Sequence, residues 1–165
     1  MKHWLVKNSL WKAIGTFLVI SILVVGFSIY FIYDKALIGP AYIFMAFIVI
    51  GILKLFGIKL KAVYPDIIFG IIDNGVLIFA ALLGGKFAGV AGAVLGGAAG
   101  NTLTDGIGGL FEGRIAEKLK RDNFEQERNP ISTMLGKIIG CLIGAGIGLI
   151  LVWGFNFLYT GLFLD

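Results

Sequence analysis

The chain has one cysteine, one histidine and only 15% Asp, Glu, Lys and Arg together. A single cysteine excludes an intramolecular disulfide and a metal–thiolate cluster. Cys141 sits among glycines in an apolar run and reads as a small packing residue. The one histidine, His3, lies before the first apolar run, so no imidazole and no HExxH zinc set falls within the runs. With no nucleophile motif either, no enzyme is expected, and carboxylates acting as acid and base on a lipid form the weakest alternative. The net charge of +4 would suit nucleic acid only with a soluble basic domain, and the basic residues lie instead between apolar segments. No strand pattern precedes the glycines, which excludes a dinucleotide or phosphate loop. No A-x-A cleavage pattern follows "MKHWLVKNSLWK", so this stretch and the run behind it are expected to be an uncleaved first span.

What the chain has is apolar length. Hydrophobic residues make up 58% of it and the mean hydropathy is +0.95, more than a soluble domain of this size can bury. Weak alternation argues against a β-barrel. The expected fold class is an all-α polytopic membrane protein, a glycine-rich bundle of about five transmembrane helices in a single domain, 1–165. Runs that reach the ~20 residues needed to cross a bilayer lie near 13–33, 38–57, 66–84, 87–113 and 131–160. Lys2, Lys7, Lys12, Lys54, Lys59, Lys61, Arg114, Lys118, Lys120, Arg121 and Arg128 then fall on one side, against Lys35 and Lys86 on the other. The positive-inside rule makes that side, and the N-terminus, cytoplasmic. The expected location is the cell (inner) membrane of a prokaryote.

Residues 114–129 mix both charge signs and read as a cytoplasmic helical extension of the fourth span, with Glu117 and Arg121 as an i,i+4 pair. An acidic patch of Glu117, Asp122, Glu125 and Glu127 that senses metal or a partner is the alternative there. Pro130 opens the last span at a position proline tolerates.

Gly85, Gly89, Gly92, Gly96 and Gly100 recur at steps of three or four, and Gly136, Gly140, Gly144 and Gly148 at steps of four. Such stripes let helix backbones approach closely, as in a glycine zipper. At ~100° per residue, Asn101, Asp105, Gly108 and Glu112 share one arc of the fourth span, nearly opposite its glycine stripe. A helix with small residues on one face and acids on another is expected at the centre of the bundle.

From a rise of ~1.5 Å per residue, Asp73, Asp105 and Lys137 all lie about 10 Å in from the cytoplasmic ends of their spans. A charge in hydrocarbon costs about 2.5–3.5 kcal/mol on insertion scales, so three at one depth call for a reason. The candidate cation ligands are Asp73, Asn74, Asn101, Asp105 and Glu112, with Lys137 as counter-charge. Hard oxygen ligands suit Mg²⁺, Mn²⁺ or Fe²⁺. No resident cofactor is called for; a divalent metal ion would be the substrate.

"PDIIFGIIDNGVLIFAALLGG" and "GGAAGNTLTDGIGGLFEGRIAEK" resemble the first two spans of the vacuolar iron transporter (CCC1-like) family, and "ISTMLGKIIGCLIGAGIG" is similar to its third. The resemblance covers about residues 66–150. Asp66, Gly70, Asp73 and Gly75 correspond to the D-[IV]-I-x-G-x-x-D-G pattern opening the family's first span, with Asn74 as an extra residue. The resemblance implies proton-coupled export of Fe²⁺ or Mn²⁺ from the cytoplasm through a dimer interface. Two spans precede the matching region, and 114–129 is shorter than the family's glutamate-rich cytoplasmic helices.

The leading expectation is a small divalent-cation transporter or channel, a homo-oligomer (dimer or higher) joined by one of the glycine stripes. Its partners are membrane lipid and metal ions or protons, with no nucleic acid. The alternative is a glycine-zippered structural or subunit protein whose buried charges are salt-bridged. A solute carrier using Trp153, Phe155 and Tyr159 competes with the reading of those aromatics as an interfacial belt.

Overall fold

The computed structural model describes residues 2–31, 33, 35–121 and 129–162. The regular structure described is helical: α1 (Lys2–Phe31), α2 (Lys35–Leu55), α3 (Leu60–Arg121) and α4 (Pro130–Leu162). Each holds a stretch long and apolar enough to cross a membrane: Leu10–Phe31, Leu37–Leu55, Leu60–Gly108 and Pro130–Trp153. Large apolar side chains such as Ile22, Phe47, Phe87, Val90 and Leu95 face outward. This is the character of a multi-pass membrane protein.

The 62 residues of α3 would make a straight rod roughly 90 Å long at ~1.5 Å per residue, about three times the hydrocarbon thickness. Instead the helix breaks at Ala88 (φ −138°, ψ 25°) and Gly89 (φ 59°, ψ −141°), and the chain doubles back. Gly84 meets Gly92, Ala80 meets Gly96, Leu77 meets Gly100 and Phe69 meets Gly108. These pairs straddle residues 88–89 evenly, so 60–87 and 90–121 are two antiparallel arms. Gly89 supplies a backbone conformation that only glycine adopts without strain. A Cβ at Gly92 would overlap the Gly84 carbonyl, and one at Gly96 the Ala80 carbonyl. The two arms correspond to the runs near 66–84 and 87–113. The second continues without interruption as far as Arg121; Asp122, Glu125 and Glu127 of the acidic patch lie outside the described residues, and Glu117 is exposed.

The centre of the bundle belongs to α4, which packs against α1, α2 and α3. This corrects the expectation that the fourth span is central: the second arm leaves Val90, Val94, Leu95, Leu103 and Leu110 exposed. Gly136, Gly140, Gly144 and Gly148 seat Val63, Ile67, Ile71 and Gly75 of the first arm in turn, so α4 runs parallel to that arm. Against α2 it runs antiparallel, Gly39 meeting Ile150 and Ile43 meeting Gly146. Both glycine stripes are thus used inside one copy of the chain, and any contact between copies must use other surfaces. The core joins Met45, Val49 and Leu53 of α2 to Val63 of α3 and to Leu135, Ile139 and Leu142 of α4. Among the described side chains of α1, Ala13 and Ile20 are buried, with a further tie from Ser28 to the Tyr42 hydroxyl at 2.7 Å.

Local signals explain the helix ends. Gly57 (φ 69°) stops α2: its amide donates to the Lys54 carbonyl at 2.9 Å and the Ile58 amide to the Leu53 carbonyl at 3.2 Å, a Schellman cap. Asn129 caps α4, its Oδ1 accepting from the Ser132 amide at 3.0 Å. The Asn129 amide donates back to Ser132 Oγ at 2.8 Å, a reciprocal capping box with Pro130 at the first helical position, where its missing N–H costs nothing.

Candidate functional site

The hairpin register decides which polar side chains meet. Stepping by four along the second arm, the small-residue face continues from Gly92, Gly96 and Gly100 to Thr104 and Gly108, all turned toward the first arm. The buried Thr104 (2% exposed) places its hydroxyl 2.5 Å from Oδ1 of Asp73. The same oxygen lies 3.1 Å from the Gly100 carbonyl and 3.0 Å from that of Asn101, so the hydroxyl is held in a fixed place facing the carboxylate.

One residue further on, the helix has rotated by ~100°. Asp105 is exposed and accepts a bond from Asn101 Nδ2, 3.0 Å away on the same arm. Exposed Leu103 and Ile107 flank this carboxylate–amide pair, with Leu110 and Phe111 beyond. Nearby, Thr102 turns its hydroxyl onto the Ala98 carbonyl at 2.9 Å. Asn74 goes the other way, donating to the Cys141 carbonyl of α4 at 3.2 Å. Lys137 holds its Nζ 4.9 Å from the centroid of the Phe69 ring, within cation–π range, and Phe69 itself packs against Gly108. The side chain of Glu112 lies outside the described residues.

Of the candidate ligands, then, Asp73 and Asp105 lie at one level but take different partners, Thr104 and Asn101. Asn74 and Asn101 point to opposite sides of the hairpin. Among the described residues no three of His, Cys, Asp and Glu gather closely enough to hold a metal ion. Among the described residues, Asp105 and Asn101 are the candidate oxygen ligands that meet, joined to each other by their hydrogen bond.

The sequence alone singles out neither Thr104 nor Phe69. Its spacing also groups Gly108 with the acids, whereas Gly108 belongs to the packing face. The four-residue step from Gly100 is the signal that would have placed both Thr104 and Gly108. Asp66, the first acid of the pattern, is 3% exposed, with its Cβ against the site of Gly136 on α4.

A cavity of about 370 Å³ is lined by residues of α1 and α4, by Tyr42 of α2 and by Asn74 of α3, with Lys137 and Cys141 in its wall. In comparisons with known proteins, no family model, no curated protein and no solved structure matches this chain.

Proposed function

We propose that the chain is one subunit of a homo-oligomeric membrane carrier or channel for small cations, either protons or hard divalent ions of the Fe²⁺, Mn²⁺ and Mg²⁺ class. In this reading the chain crosses the membrane five times, the two arms of α3 counting separately, with the N-terminus cytoplasmic. The cation passes between copies, at Asp105 and Asn101.

The carrying observation is the exposed Asp105–Asn101 pair on an otherwise apolar helix face. Left in lipid, a carboxylate costs about 2.5–3.5 kcal/mol on insertion scales. A second copy covering the face removes lipid, and in a twofold contact Asp105 meets its own counterpart. Two carboxylates brought together in a low-dielectric setting disfavour double ionisation, so the pair takes up a cation or shares a proton. The two Asn101 carbonyl oxygens add hard ligands. Asp73 stands behind this point, held through Thr104. The resemblance of 66–150 to vacuolar iron transporter spans points the same way. The test is Mn²⁺ and proton flux in proteoliposomes: Asp105→Asn is expected to abolish it while the oligomer persists, and undiminished flux refutes the assignment.

A structural reading has its own support in Asp73 with Thr104 and Asn74 with the Cys141 carbonyl, which tie the first arm to the second arm and to α4. Under it, Asp105→Asn leaves no transport to lose, and metal produces no shift in melting temperature.

A further inference from the structure

We infer that one end of the bundle is a collar for anionic phospholipid, in which Lys12, Lys54, Lys61, Arg114 and Lys118 hold headgroup phosphates. The inference uses the membrane-spanning character of the helices and does not depend on a cation site at Asp105. Helix register brings the five together. Lys54 and Lys61 flank the corner at Gly57 that joins α2 to α3. In the α3 hairpin Asp73 meets Thr104 and Phe69 meets Gly108. Equal steps outward along both arms set Lys61 level with residue 116, between Arg114 and Lys118. Ser28 of α1 meets Tyr42 of α2, and Ala13 shares a core with Leu53, so these helices run antiparallel. Sixteen residues before Ser28, Lys12 therefore stands level with residue 58, at the same corner. All five cations are exposed.

Their surroundings select the partner. The apolar stretches begin at Leu10, end at Leu55 and begin again at Leu60. Lys12, Lys54 and Lys61 thus lie within two residues of a span end, where a lysine stem lies along apolar surface and its ammonium reaches the headgroup level. Apolar side chains are exposed among the cations: Leu55 at 88% and Trp11 at 63%, with Phe56 and Leu60. An acidic protein or a nucleic acid docked on the cations would leave these groups in water. The edge of a bilayer accommodates both, with aromatic rings at headgroup depth. Charge then selects the lipid. Among the described residues, Glu117 is the exposed acid at this level and Asp66 is buried; Lys59 and Arg121, each with a contact inside the chain, add positive charge. Phosphatidylcholine brings a cation with every phosphate, whereas phosphatidylglycerol brings net negative charge, and clusters of about four to eight Lys and Arg beside a spanning helix favour the latter.

Trp11, next to Lys12, reports on the lipid at the collar. The test uses the full chain carrying Trp4→Phe and Trp153→Phe, which leaves Trp11 as its tryptophan, in phosphatidylcholine bilayers. Chain-brominated phosphatidylglycerol is expected to occupy sites beside Trp11 at least about fivefold more readily than brominated phosphatidylcholine, the worth of one lysine at an anionic surface. Raising the salt from ~0.1 M to ~1 M, which shortens the screening length from about 10 to 3 Å, should reduce that preference. Lys12→Gln, Lys54→Gln and Lys61→Gln together should remove most of it, while Lys86→Gln, at the far end of the hairpin, should leave it unchanged. Equal quenching by the two lipids overturns the inference, as does a preference that survives the triple substitution or falls as much with Lys86→Gln. Polyglutamate binding to the detergent-solubilised protein, with the lipids quenching alike, would make the collar a dock for an acidic protein instead. Should Trp153→Phe fail to fold, native mass spectrometry of the unaltered chain released from nanodiscs of both lipids decides. Phosphatidylglycerol should stay bound in excess and lose that excess in the triple variant; equal retention of the two lipids refutes the collar.

Discussion

Thr104 and Asp73, separated by 31 residues in sequence, are joined across the α3 hairpin by a hydroxyl-to-carboxylate bond of 2.5 Å. Thr104 is buried and Asp73 half-buried, so neither can turn to water freely. Thr104→Val keeps the shape and removes the donor, leaving the carboxylate short of a partner at a cost of about 1–3 kcal/mol. Thr104→Ser keeps the donor and gives up one methyl group. Melting of the purified protein in detergent is expected to rank the wild type first, Thr104→Ser close behind and Thr104→Val lowest. In an Asp73→Asn background the Thr104→Val penalty should shrink, since the charged acceptor is gone.

The reversal of α3 rests on one backbone conformation. A Cβ built at Gly89 meets nothing within 4 Å, so Gly89→Ala probes φ and ψ alone. The conformation at φ 59°, ψ −141° is one that alanine enters at a cost of about 1–3 kcal/mol. The expected result is a lower melting temperature with unchanged helix content by circular dichroism. A melting temperature equal to that of the wild type would mean that this turn carries no backbone strain for a substituted residue.

Glycines in this chain divide by what surrounds them, and substitutions should divide likewise. At Gly96 an added side chain meets the Ala80 carbonyl, a backbone atom that cannot move without separating the arms. At Gly26 on α1 it meets nothing within 4 Å. Gly96→Val is therefore expected to destabilise by at least about 1–3 kcal/mol, the usual penalty of overpacking. Gly26→Ala should be neutral or stabilising by up to about 1 kcal/mol, because alanine loses less backbone freedom in a helix. Thermal melts of the two variants side by side make the comparison.

The contrast between Asp105 and Thr104 marks how far the sequence could be read. Helix existence followed from run length, and Pro130 and its neighbours announced the start of α4. Relative level along the hairpin was legible too, because the rise per residue is nearly constant: Thr104 meets Asp73, so Asp105 and Asp73 stand at one level. Facing was not, because one residue along a helix turns a side chain by ~100°, and only the packing partner says which residue looks inward. The partner of each glycine stripe was equally hidden. Small residues announce close approach but carry no label for whether the other backbone belongs to the same chain. The hairpin at Gly89 and the parallel seat of α4 on the first arm claim both stripes before any second copy can.

If copies associate as proposed, the outer face of the second arm is the surface favoured for the contact. Leu103, Ile107 and Leu110 are exposed there around Asp105, while the opposite candidate, the outer face of α1, carries apolar residues such as Ile22 and Leu23 without an acid. Lipid covers the second surface at no cost, but on the first it leaves a charge in hydrocarbon. Single cysteines at Leu103 and at Leu23, each placed in a Cys141→Ala background, distinguish the two. Residues near a twofold axis lie close to their own copies, so oxidation in native membranes should crosslink Leu103→Cys into a dimer and leave Leu23→Cys monomeric on a non-reducing gel. Adding Asp105→Leu to the Leu103→Cys protein should preserve the crosslink, because an apolar side chain packs there without needing a cation. Crosslinking through Leu23→Cys alone would move the contact to α1 and leave Asp105 facing lipid, which removes the physical basis for a cation site between copies.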